Sequence, residues 1–81
     1  MGRGPSKKGE EARRRILAEL ARRYSEFEPQ PSYAQLAAAL GMGYGGMIGH
    51  VRVLREAGLI HPPPDLWITR AGFEAIRALV D

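Results

Sequence analysis

The chain has 81 residues, a net charge of +3, two histidines and no cysteine. A domain of this size buries only about 60% of its unfolded surface, and without thiols neither a disulfide nor a thiolate metal site can supplement the small core. His50 and His61 are too few for a structural zinc site, and neither has a carboxylate or nucleophile at a useful sequence position, so no metal, no catalytic triad and no enzyme is expected.

No apolar run approaches the roughly 18 residues of a membrane helix, and no apolar stretch follows Met1. The expectation is a cytoplasmic protein with neither a membrane span nor a secretory signal. The opening residues do match the myristoylation pattern M-G-x-x-x-S, a match that glycine-rich basic starts make by chance.

Residues 1–8 are small, polar and basic, and read as a flexible arm. One folded domain is expected over 9–81. A first helix (α1) is predicted over 9–24, with Ala12, Ile16, Leu17, Leu20, Ala21 and Tyr24 on one apolar stripe. Glu10 and Glu11 suit its N-terminal dipole and Arg22 and Arg23 its C-terminal end. Pro29 and Pro31 stop any continuation.

A second helix (α2) starts after Ser32, with Gln35 completing a capping box, and buries Leu36, Ala37 and Leu40. Gly41 ends it in the left-handed conformation, and Met42, Gly43 and Tyr44 form a turn. A third helix (α3) is predicted over 45–57, with Gly58 as its left-handed stop. A strand opens at Leu59 and Ile60, a stiff loop follows at Pro62, Pro63, Pro64 and Asp65, and Leu66, Trp67 and Ile68 return. Thr69 caps a last helix (α4) over 70–80, with Phe73, Ile76, Leu79 and Val80 on its apolar stripe.

The predicted fold is mainly α with a small β-wing, a winged helix-turn-helix in the order α1-α2-α3-β-β-α4. In such a fold the third helix is laid into a DNA major groove. At 100° per residue, Met47, Val51 and Leu54 face the core, while Gly45, Gly49, Arg52 and Glu56 face outward, flanked by Ile48 and Val53. Arg52 is the one long donor on that face, and an arginine can grip guanine O6 and N7 together.

Gly45, Gly46 and Gly49 would let a partner approach the backbone closely, at about 1 kcal/mol each against alanine in a helix interior. The competing reading puts Gly45 and Gly46 in the turn and leaves only Gly49 helical. Ser32 and Tyr33, beside free backbone N–H groups, are candidate phosphate contacts, against a plain cap with Tyr33 packed on the core. Arg3, Lys7 and Lys8 would add unspecific attraction to DNA. His50 is expected to be half-buried beside the core stripe. Trp67 should point away from Leu66 and Ile68, either toward a partner or stacked on the proline loop.

The segment from Gly41 to Gly46 also fits G-x-G-x-x-G. A dinucleotide site needs a strand before it, where this chain has a helix, so no cofactor is expected.

The runs from Pro31 to Ala37, Leu40-Gly41 and Val51 to Ile60 resemble bacterial winged-helix repressors. The start of α2 looks like the DNA-binding domain of LexA. The end L-R-E-A-G-L-I looks like ArsR and MarR regulators, and Thr69-Arg70-Ala71-Gly72 is similar to the MarR-type step into the last helix. The resemblance covers residues 12–80. It implies sequence-specific binding of double-stranded DNA by a small bacterial transcriptional regulator; the residues themselves offer Ser32, Tyr33, Tyr44, Gly45, Gly46, Ile48, Gly49 and Arg52 as the expected contacts.

Three departures stand against a full transfer. Tyr44-Gly45-Gly46 replaces a Ser/Thr-rich recognition-helix start, the wing lacks basic residues, and the metal-binding cysteines and protease half of those families are absent. The alternative is a winged-helix module for protein contact. Its support is the charge distribution, +5 over residues 1–25 but −2 over 26–69. A second copy of the chain is a further candidate partner. The absence of Asn and the ten Arg against two Lys fit a thermophilic bacterium and a GC-rich genome equally.

Overall fold

The computed structural model describes residues 7–80, and the side chains of 9–77. Four helices follow the predicted order: α1 Lys7–Ser25, α2 Tyr33–Leu40, α3 Tyr44–Glu56 and α4 Arg70–Val80. α1 begins two residues inside the segment read as an arm, which places Lys7 and Lys8 in its first turn. Residues 1–6 of that arm, Arg3 among them, lie outside the described residues.

The helix ends follow local chemistry. Ser32 Oγ accepts from Gln35 N–H and the Gln35 side chain accepts from Ser32 N–H, both at 3.0 Å, so the capping box is complete. Gly41 (φ 66°) and Gly58 (φ 80°) take the left-handed conformation expected of them. After each, two backbone N–H groups turn back to carbonyls of the last turn: Met42 to Ala37 and Gly41 to Ala38, then Leu59 to Leu54 and Gly58 to Arg55.

The same motif closes α1, where the sequence has no glycine. Phe27 stands at φ 59°, with Glu28 N–H donating to Arg23 and Phe27 N–H to Tyr24. The helix therefore stops at this turn, ahead of Pro29.

α1 packs against the other three helices. It contributes Ile16, Leu17 and Leu20, which meet Leu36 and Ala37 of α2 and Met47, Val51 and Leu54 of α3 in one core. Each large side chain withdrawn from water there contributes roughly 1.5–3 kcal/mol. Leu40 is half-buried, while Arg15 donates to its carbonyl at 3.0 Å and so ties α1 to the end of α2. Phe73 and Ile76 of α4 are half-buried against the core; the side chains of Leu79 and Val80 lie outside the described set.

The expected two-stranded wing is not formed. Among the described residues the segment between α3 and α4 holds a single antiparallel bridge, Ile60 with Ile68. His61 N–H donates to Trp67 at 2.8 Å and Thr69 N–H to Leu59 at 3.0 Å. Pro62, Pro63 and Pro64 have no N–H to extend the ladder. Burial still alternates as predicted, with Leu66 and Ile68 in the core and Trp67 between them half-exposed. Trp67 finds a neighbour that the sequence did not suggest: its ring meets Tyr24 edge-on, centroids 5.7 Å apart, and Tyr24 in turn meets Phe73 at 5.6 Å.

Thr69 caps α4 as expected, accepting from Gly72 N–H at 3.1 Å and donating to Gly58 carbonyl at 2.7 Å. No helix among the described residues is long and apolar enough to cross a membrane.

Candidate nucleic-acid interface

α3 is amphipathic in the predicted phase. Met47, Val51 and Leu54 are buried, whereas Gly45, Gly46, Gly49, Arg52 and Glu56 are exposed. Ile48 is half-buried and Val53 is exposed, so the two flanks of that face are unequal. Tyr44 is the first helical residue, so Gly45 and Gly46 belong to the helix and not to the turn. Arg52 is exposed and forms no hydrogen bond or ion pair among the described residues.

The glycines of this face have no internal reason to be glycines. A Cβ added at Gly45, Gly46 or Gly49 meets nothing within 4 Å, and none of the three has positive φ. Gly72 behaves in the opposite way. A Cβ there falls 2.4 Å from the Leu59 carbonyl oxygen and 2.5 Å from Ile68 Cγ1, so close packing of α4 on the hairpin requires it.

The start of α2 stands beside the start of α3, with the Tyr33 and Tyr44 rings edge-to-face at 6.4 Å. Ser32 is exposed and Tyr33 half-buried against the core. Ser32 Oγ is occupied as an acceptor by the capping box, and Tyr33 Oη accepts from Arg55 Nη1 at 2.6 Å. A hydroxyl that accepts one bond still carries its own proton as a donor. The cap reading and the phosphate reading of this pair are thus compatible in the same geometry.

Arg55 is the residue that sequence reasoning missed. Besides Tyr33, it donates from Nε to the His61 carbonyl at 2.8 Å and from Nη2 to the Asp65 carbonyl at 2.5 Å. Its guanidinium carbon lies 5.9 Å from the centroid of the Tyr33 ring. A signal existed in the sequence. Three consecutive prolines leave the flanking carbonyls short of donors, and a long side chain at the end of α3 can supply them.

A cluster of charged groups pairs at the C-terminal end of α1. Arg22 reaches Glu19, Glu26 and Glu28 at 2.8, 2.8 and 3.2 Å, and Arg23 Nε reaches Glu19 at 2.8 Å. The hydrogen bond from Arg22 holds the Glu19 carboxyl below its ordinary value, helped by Arg23 and opposed by partial burial. His50 is half-buried, with Nδ1 3.5 Å from Arg13 Nη1, and His61 is exposed on the hairpin.

The structure thus places Ser32, Tyr33, Tyr44, Gly45, Gly46, Gly49 and Arg52 at the two helix starts and along the outer face of α3, with Ile48 at its edge. Lys7 and Lys8 lie on α1, and their side chains are not among those described.

No protein-family model matches the chain, and no curated protein matches it. The fold is similar to that of MepR, a MarR-family winged helix-turn-helix transcriptional regulator, in the crystal structure of a mutant from a multidrug-resistant S. aureus clinical isolate. The TM-score is 0.75 at 16% sequence identity, and the superposition covers 95% of this chain. It covers 60% of the MepR chain, so the present chain spans less than two thirds of that protein's length. The four-helix arrangement, with α2 and α3 set as a helix-turn-helix, is therefore a MarR-like fold.

Proposed function

We propose that the chain binds double-stranded DNA sequence-specifically as a small bacterial transcriptional regulator. The observation that carries this reading is the outer face of α3, where three helical glycines leave open space around an unpaired Arg52. Gly49, in the helix interior, disfavours the helix by about 1 kcal/mol, and neither packing nor backbone conformation within the chain compensates for it. A partner that must come close to the backbone would. In a helix-turn-helix that partner is the major groove, and the fold's likeness to MepR supports the same choice.

In this reading α3 enters the major groove and Arg52 reads a guanine, worth about 1–3 kcal/mol of discrimination. Tyr44, Gly45, Gly46, Ile48 and Gly49 form the surface pressed against base edges and sugars. Ser32 and Tyr33 donate to a backbone phosphate at the mouth of the groove, while Arg3, Lys7 and Lys8 add sequence-independent attraction.

Affinity for selected and random short duplexes, measured against salt, tests the proposal. Binding that falls with salt and retains a preference for one sequence supports it. A footprint of one or two helical turns would separate one bound copy from two. A chain that ignores every duplex at low salt but captures a protein through the α3 face would overturn DNA binding in favour of a protein-contact module, as the acidic balance of residues 26–69 suggests.

A further inference from the structure

We infer that Arg55 is a positioning residue for the DNA contact, tying the 61–65 loop to the start of α2 and aiming the Tyr33 hydroxyl at a backbone phosphate. The inference rests on the DNA-binding reading for the identity of the partner; the tie itself does not.

Pro62, Pro63 and Pro64 contribute no N–H donors, and the Ile60–Ile68 bridge is the one ladder contact of the hairpin among the described residues. Beyond that bridge, the Asp65 N–H bond to the Pro62 carbonyl closes the loop and buried Leu66 anchors its far end, while the three prolines have no N–H to bond to the rest of the fold. Arg55 grips both of its ends, with Nε on the His61 carbonyl and Nη2 on the Asp65 carbonyl. A planar guanidinium can do this because its donors form a rigid fork; a lysine ammonium offers one point of contact.

The third bond of the fork leaves the loop. Nη1 donates to Tyr33 Oη, and the ring is further fixed by the edge of Tyr44. Tyr33 Oη therefore has its acceptor role filled by a cation. Its own proton is left as the donor, and acceptance from a charged group polarises that O–H. Tyr33 is the first residue of α2, next in the chain to Ser32, at the helix end whose dipole favours an anion. Three of the five guanidinium N–H donors are committed inside the protein, so Arg55 acts on DNA chiefly through Tyr33 and the loop.

The test uses Arg55→Lys, Arg55→Ala, Tyr33→Phe and the double variant Arg55→Ala/Tyr33→Phe in the full chain. Affinity for the preferred duplex is measured well below each thermal midpoint. Arg55→Lys and Arg55→Ala should weaken binding alike, by about tenfold or more, because a retained charge does not replace the fork. Tyr33→Phe should weaken it similarly, and the double variant should be no weaker than Arg55→Ala alone. Wild-type affinity in Arg55→Lys would mean that Arg55 acts as a charge on the phosphates. Additive losses would mean that Arg55 and Tyr33 act separately. Either result overturns the inference.

A second measurement requires no DNA. In Arg55→Lys the amide protons of His61 and Asp65 should exchange on the order of tenfold faster, with those of α1 unchanged. Unchanged protection in the loop would refute the tie. A wild-type chain that binds no duplex would sink the DNA-binding reading and the phosphate role of Tyr33, while exchange in the loop still decides whether Arg55 holds it.

Discussion

Alanine at two glycines should move stability in opposite directions. Gly49 lies in the middle of α3, and an added Cβ meets nothing within 4 Å. Gly49→Ala therefore removes a helix penalty of about 0.8–1.0 kcal/mol and introduces no clash. For a domain of this size 1 kcal/mol moves the midpoint by about 4–8 °C, so the variant should melt about 4–8 °C higher. Gly72→Ala drives a methyl to 2.4 Å from the Leu59 carbonyl oxygen and 2.5 Å from Ile68 Cγ1. Neither atom is the far end of a flexible side chain, so the hairpin must move off α4.

Overpacking of this kind costs about 1–3 kcal/mol, and Gly72, in the first turn of α4, recovers little from helix propensity. Its midpoint should fall by roughly 8–16 °C for a net loss near 2 kcal/mol. Thermal unfolding followed by circular dichroism at matched protein concentration measures both. The functional consequence is read on the same samples. If open space on α3 exists for a partner, Gly49→Ala should be more stable yet bind its preferred duplex less well. Gly49→Arg should abolish specific docking while its charge raises unspecific affinity. A Gly49→Ala variant that melts lower would reveal an internal need for that glycine and refute a partner as the reason for the open space on α3.

Arg52→Ala should lower affinity for the preferred duplex by about 1–3 kcal/mol and leave random duplexes nearly unaffected; equal losses on both would reduce Arg52 to a phosphate contact. Phe27→Gly should stabilise the fold by about 1 kcal/mol, because Phe27 holds φ 59° while 94% exposed and so loses little packing when truncated. A shift of the urea midpoint to lower concentration would contradict that account. Glu19 gives a pH signature. Its carboxyl is held below the ordinary value of 4.5 by Arg22 and Arg23, so its contribution is complete above that pH and is lost as pH falls through the lowered native value. Glu19→Gln should flatten the acid limb of the stability curve; superimposable curves for the two proteins would refute the role of the pair.

Sequence by itself determined whatever depends on neighbours a few residues apart. The Ser32–Gln35 box, the left-handed stops at Gly41 and Gly58, the Thr69 cap and the phase that buries Met47, Val51 and Leu54 are local effects of chain geometry, and the structure has all of them. From these followed the four helices, their order and the face of α3 that carries Arg52. What tertiary structure decided involves groups far apart in the chain or competition between local preferences. Strand propensity at residues 59–60 and 66–68 gave way to a single bridge, since three prolines remove the donors a ladder needs. Phe27 accepted a conformation better suited to glycine because the end of α1 closes there. Trp67 turned to Tyr24, and Arg55 joined Tyr33, His61 and Asp65, across sequence separations of 43 and up to 22 residues that no local pattern reports. The difference between Gly49 and Gly72 is of the same kind. Both are helical glycines in the sequence, and only the packing of α4 against the hairpin makes one of them indispensable to the fold.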